Sequence, residues 1–192
     1  MKTKTLGLFL VLSLPMINAC GSMKYDVKEI KKYQIHMESD DEAVQSRFQK
    51  LVEEYNEKVG METLTYEASA ANANSIATLT AGLQNRDGKV GWGQWTKESK
   101  QESPFERPIG SRPKRTESYS MQLEFDMDYF LQRMNSDDPE KQLQLYKLFA
   151  HEVGHGFQMN HDGEVSSVMY PDISGEKEFE PYYERVRSYF EN

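Results

Sequence analysis

Cysteine is almost absent from this chain, and the single one, Cys20, lies near the N-terminus. No disulfide can therefore form within one molecule, and no cysteine-based metal site is open to the chain. Histidine is scarce as well, at four residues. No apolar run reaches the ~20 residues that a stable membrane-spanning helix needs. Positive charge is in deficit: 23 Lys and Arg stand against 31 Asp and Glu, a formal net charge of -8. So acidic a chain is a poor general nucleic-acid binder, because phosphate contacts need clustered Lys and Arg. Its one basic cluster, Arg107 to Arg115, is short and Pro-rich and reads as a solvated loop. Internal repeats and an interdomain linker are also missing. What remains is 192 residues, enough for one compact domain, with nine Phe, eleven Tyr and two Trp to build its core.

The N-terminus stands apart from that domain. Lys2 and Lys4 precede an apolar run from Leu6 to Ile17, which ends at Ile17-Asn18-Ala19-Cys20. A charged start, a short apolar middle and a small residue before a break describe an export signal. The break resembles the lipobox of bacterial lipoproteins, which implies lipidation of Cys20. Gly21 after it implies outer-membrane sorting. The expected division is a signal peptide over 1–19, a lipidated N-terminus and tether over 20–32, and one catalytic-type domain over 33–192. The tether, Gly21 to Lys32, reaches about 40 Å at most and is too short to fold as an inhibitory prodomain.

Alternation predicts a first strand at Tyr33 to Met37. Asp40 and Asp41 offer caps for a helix through about Lys58, with Val44, Phe48, Leu51, Val52 and Tyr55 inward and Gly60 ending it. Further strands are expected at Thr63–Glu67, Ser75–Leu83, Lys89–Thr96 and Tyr119–Asp126, with a turn at Asn85–Gly88 and a long irregular loop over Lys97–Arg115. Asp137-Asp138-Pro139 opens a helix expected to reach about Met159, with Leu143, Tyr146, Phe149 or Ala150, Val153 and Phe157 facing the core. A last helix runs from Glu180 to Phe190 with Tyr183, Val186 and Phe190 inward. The class is α+β, with a twisted mixed sheet of about five strands.

Three of the four histidines fall in one stretch, AHEVGHGFQMNHDGEVSSVMYP, from Ala150 to Pro171. On a helix, His151 and His155 share a face and can meet one ion, while Glu152 can reach a water on that ion without being a ligand. HExxH alone is a weak signal, because chance copies occur on polar helix faces. Here His161 follows six residues after His155, and Met169-Tyr170-Pro171 comes eight residues later.

This pattern resembles the metzincin zinc endopeptidases, closest to the matrixin-like branch. GKVGWGQW and FDMDYF, upstream and in that order, resemble the edge strand and the following strand of matrixins. The resemblance implies a metzincin-like fold with an antiparallel edge strand, an active-site helix, a Met-turn and a C-terminal helix. It implies His151, His155 and His161 as zinc ligands, and Glu152 as the base that takes a proton from metal-activated water. Met169 would underlie the site in a Met-turn. Gly91, Trp92 and Gly93 would form the substrate edge strand, the glycines letting a peptide approach closely. The specificity pocket would be built by roughly Asp172 to Glu180.

One position departs from the family pattern. Metzincins usually have glycine three residues after the second histidine, where the helix breaks; this chain has Gln158. Either Gln158 takes the left-handed conformation at a cost of about 1–2 kcal/mol, or the helix breaks later, near Asn160, and Asp162 replaces His161 as ligand.

His36 reads as a plain strand residue, and Trp92 and Trp95 as packing groups. Asp87 and Asp126 are candidates for calcium, with turn and strand-end roles favoured for both. Tyr170 is either a turn residue or one leaning toward the metal. With no prodomain and no cysteine left for a switch, the protein is either constitutively active or held by a separate protein inhibitor. The expected partners are a protein or peptide substrate and, through the lipid anchor, a membrane. Two other functions compete: a catalytically inactive peptide-binding lipoprotein on the same fold, against which the retained Glu152 argues, and a gluzincin-type protease with Glu176 or Glu180 as third ligand.

Overall fold

The computed structural model describes residues 25–84, 89–103, 105 and 107–191. The expected signal, Cys20, the expected turn at 85–88 and Asp87 lie outside the described residues. No helix among the described residues is long and apolar enough to cross a membrane.

The strands are β1 (Asp26–Ile30), β2 (Tyr33–Glu38), β3 (Leu64–Tyr66), β4 (Ser75–Thr80), β5 (Gly91–Gln101) and β6 (Lys114–Asp126). The helices are α1 (Glu42–Val59), α2 (Met127–Met134), α3 (Pro139–Gly156) and α4 (Glu180–Glu191). The strands form one six-stranded sheet in the order β1-β6-β4-β2-β3, with β5 along the other side of β6. Every pairing is parallel except β5 with β6. β6 therefore organises the sheet: β5 runs antiparallel along one side, while β1 pairs its beginning and β4 its end on the other.

The period-2 pattern dictates the buried face. Tyr33, Ile35 and Met37 of β2 and Met121, Leu123 and Phe125 of β6 are all buried. They meet the buried stripe of α1, which is Val44, Phe48, Leu51, Val52, Tyr55 and Val59. Asp41 caps that helix by accepting from the Ala43 N–H at 2.8 Å, and Gly60 ends it at φ 82°. Inward residues of α3 complete the core: Leu145, Tyr146, Leu148, Phe149, Ala150 and Val153.

Several expectations need correction. The expected tether contains β1, whose residues are all exposed. It has no alternation to read, and pairs only because the first half of β6 leaves an open edge. With β1 added to the strands expected, the sheet has six. The loop expected over 97–115 shrinks to 102–113, because β5 and β6 extend into a long hairpin. The helix α2 was not expected. It follows β6 with no turn residue between them, since Asp126 ends the strand and also caps the helix, accepting from the Tyr129 N–H at 3.0 Å. Leu143 faces solvent, 42% exposed, because the buried arc of α3 is centred on Leu145 and Tyr146. Tyr182 joins Tyr183 and Val186 on the inner face of α4, and Phe190 is only half-buried.

Candidate metal centre and cleft

α3 is capped by Asp138, whose carboxylate accepts from the Glu140 N–H at 2.9 Å. It delivers His151, Glu152 and His155 from its last two turns. The helix then closes in a Schellman motif: the Met159 N–H donates to Gly154 O at 2.9 Å and the Gln158 N–H to His155 O at 3.0 Å. That motif needs a left-handed residue between its two bonds. Gln158 supplies it at φ 66°, the one non-glycine positive φ among the described residues. The first of the two expected routes is therefore the one taken.

The chain reverses there and brings His161 back over the helix end. The Nε2 atoms of His151, His155 and His161 form a nearly equilateral triangle, with sides of 3.2, 3.2 and 3.1 Å. His151 Nδ1 lies 2.7 Å from Val168 O and His155 Nδ1 lies 2.8 Å from Met159 O. A carbonyl oxygen can only accept, so both Nδ1 atoms carry the proton. The Nε2 atoms of these two rings, when neutral, are then bare lone pairs pointed at each other and at His161 Nε2. That arrangement is repulsive without a cation between them. Two bonds of ~2.05 Å at a tetrahedral angle would span roughly 3.3 Å between nitrogens, so the triangle fits a tetrahedral zinc with one direction left open. Burial lowers the His151 pKa to about 4, against the pull of the Val168 hydrogen bond, and lowers that of His155. Both rings therefore stay neutral and ligand-competent.

Among the described residues, this is the one grouping of three or more His, Asp or Glu able to hold a metal. Asp162 is committed elsewhere: it accepts from Ser167 Oγ at 2.7 Å and pairs with Arg185 at 3.3 Å. Glu180 pairs with Arg187, and Glu176 is exposed. Asp126 spends its carboxylate on the amides of Gln84 and Tyr129. His36 holds Glu67 O through Nδ1, away from the triad.

Glu152 is 4% exposed, and burial pushes its carboxyl up to about 8, with Lys89 pulling it partly back. It faces β5. A Cβ on Gly91 would sit 2.5 Å from its Oε1, and one on Gly93 would overlap its carbonyl oxygen. These glycines thus let the strand press against α3, a role not read from the sequence. Gly154 serves the opposite side, where a Cβ would collide with Met169 Sδ. Met169 is fully buried there, and its carbonyl accepts from the Asp162 N–H at 3.2 Å, tying its turn to the His161 segment.

α4 braces the assembly from beneath. Tyr182 Oη donates to Ala150 O at 2.6 Å and shares a hydrogen bond with Tyr55 Oη at 2.7 Å. Tyr183 and Tyr146 pair at 2.8 Å. The sequence reading missed Gly154, Val168 and Tyr182 as site supports. Only Gly154, a helix-interior glycine between two histidines, carried a visible signal.

A cleft of about 740 Å³ crosses the triad. One wall is residues 89–93, Trp92 included, and the other is residues 171–174. Tyr129, Arg133 and Gln144 line it as well. Of the segment expected to build a specificity pocket, only Asp172, Ile173 and Ser174 reach it. Trp95 was expected to pack, but is 44% exposed farther along β5. Tyr170 is half-buried with Lys177 Nζ 5.1 Å from its ring centre, and is not part of the cleft lining.

Compared with known proteins, residues 21–184 match the family model described as Matrixin. No curated protein matches the sequence significantly. Among solved structures, the chain is similar to the crystal structure of archaemetzincin from Methanopyrus kandleri, at 12% identity, over 84% of this chain and 97% of that one, with a TM-score of 0.47.

Proposed function

The chain belongs to the matrixin family of zinc metallopeptidases, and on that premise we propose that it is an endopeptidase with Glu152 as its general base. The observation that carries this reading is the convergence of three imidazole Nε2 atoms, beside one buried carboxylate, at the floor of an open cleft. His151, His155 and His161 would hold the ion. Zinc, when bound, polarises the scissile carbonyl and acidifies the attacking water. Glu152 accepts the proton from that water and passes it to the leaving amine. Met169 supports the histidines from below without ligating.

An extended peptide lies along the cleft wall at Gly91–Gly93 and pairs with the edge of β5 by main-chain hydrogen bonds. Among the described residues β5 is paired only with β6, which supports a free second edge. The chain is exported and held at a bacterial membrane, the outer membrane being the favoured site, through lipid on Cys20. Its activity is either constitutive or restrained by a separate inhibitor.

The test is to purify the protein, measure zinc per chain, and follow cleavage of an unstructured protein by wild type and by Glu152→Ala. One zinc per chain and a loss of activity of at least about 100-fold in the variant are expected. Cleavage indifferent to Glu152→Ala would overturn the mechanism. Bound zinc with no cleavage of diverse substrates would favour a peptide-binding module.

A further inference from the structure

The tip of the β5–β6 hairpin carries apolar side chains that the rest of the fold leaves uncovered. Phe105 is 98% exposed and Ile109 is fully exposed, the two most exposed large apolar residues described. Single exposed apolar residues are ordinary. Two such residues in one loop, flanked by cations, are the composition of an interfacial anchor. Four of the six charged residues between 102 and 115 are basic (Arg107, Arg112, Lys114 and Arg115), in a chain with net charge -8.

The register of β1 says where this tip sits relative to the N-terminus. Asp26 pairs with Lys114, its N–H donates to Pro113 O at 3.0 Å, and its carboxylate meets Arg112 at 3.8 Å. Cys20 lies six residues before Asp26, a reach of about 20 Å. Of the two ends of the long hairpin, the chain leading to Cys20 thus departs from the tip.

The geometry points to the hairpin tip as a second membrane contact: Phe105 and Ile109 enter the headgroup layer of the bilayer that holds the Cys20 lipid, and Arg107, Arg112 and Lys114 meet its anionic phosphates. This rests on the reading of Cys20 as lipidated. Two contacts fix an orientation that one anchor point cannot. β5 then acts as a spacer. It runs from Gly91, against Glu152, to Gln101 at the tip, ten steps of ~3.4 Å, and so holds the cleft on the order of 35 Å from the lipid. Substrates would be segments standing off the surface, not segments lying on it.

The full chain can test this after purification from bacterial membranes and reconstitution in vesicles of mixed zwitterionic and anionic phospholipid. With Cys20 consumed by lipid, a cysteine introduced by Ile109→Cys or by Asp137→Cys, beyond the opposite end of β6, is the one site for a fluorophore. Brominated lipids should quench the label at 109 severalfold more than that at 137, and Phe105→Ser with Arg112→Ser should abolish the difference while leaving cleavage of a soluble peptide unchanged. Equal quenching at both positions would overturn the proposal. The mass of the N-terminal peptide reports lipidation separately. If Cys20 carries no lipid, the anchor reading fails alone, and the chain is mixed with the same vesicles, its label at 109 distinguished by also replacing Cys20 with Ser. Quenching at 109 that Phe105→Ser removes would sustain the tip as a lipid contact, and none would overturn it.

Discussion

The two ends of β5 obey different rules. At Gly91 and Gly93 the strand is pressed onto α3 so closely that a Cβ would collide, and it borders a buried carboxylate. From Trp95 to Gln101 the same strand is exposed, with side chains free to project into water. One end is specified by shape: Gly93 meets the Glu152 backbone and Gly91 the packed side chains of Glu152 and Leu148. The other is specified by pairing with β6, helped by Lys97 on the buried Glu117 and Ser99 under Arg115, while residues such as Lys100 carry little of its stability.

The largest contrast is steric. Gly93→Ala places a methyl against the Glu152 carbonyl, which belongs to a packed helix and cannot move aside. A loss of about 3 kcal/mol in chemical denaturation is expected. Lys100→Ala, seven residues along, should stay within about 0.5 kcal/mol. Equal effects would erase the distinction between the two ends.

The next is electrostatic. In metal-free protein, burial raises the Glu152 pKa to about 8 and lowers that of His151 to about 4. The Glu152 contribution is complete below its unfolded value near 4.5 and is lost as pH rises through about 8. The His151 contribution is present above its unfolded value near 6.5 and is lost as pH falls through about 4. Between pH 6.5 and 8 the Glu152 difference dominates and the unfolded His151, losing its proton, offsets part of it, so stability should decline there by about 1 kcal/mol. Glu152→Gln should flatten that decline, as denaturation midpoints across the pH range would reveal.

A smaller effect lies beneath the site. Tyr182→Phe leaves Ala150 O and Tyr55 Oη short of a buried partner, for a loss of about 1.5 kcal/mol by thermal melting. The smallest has the opposite sign. Gln158→Gly relieves a left-handed glutamine and forfeits its exposed bond to Tyr189, so a gain of about 0.5–1 kcal/mol is expected. Asn160→Gly should give none. A gain at Asn160 instead would place the helix break where the structure does not.

What the sequence revealed follows the same division. The histidine spacing, the stripe of α1 and the alternation of β6 were legible because each is periodic and local. Gln158 was legible as an anomaly, though not its resolution, which depends on bonds to Gly154 and His155. β1 was invisible because nothing in its exposed, charged residues marks a strand; its partner alone creates it. The packing of Gly91 and Gly93 against α3 was not legible, because a missing side chain says that something comes close but not what. The roles of Val168 O and Tyr182 arise from contacts between segments distant in sequence, which no local pattern encodes.

The central claim is that three imidazoles, and no carboxylate, hold the zinc. X-ray absorption at the zinc edge of purified protein measures this most directly. The account expects three histidine nitrogens near 2.0–2.1 Å, unchanged in Asp162→Ala and reduced to two, or to no bound zinc, in His161→Ala. Two histidines with a protein carboxylate, or full zinc retention with the same spectrum in His161→Ala, would contradict it.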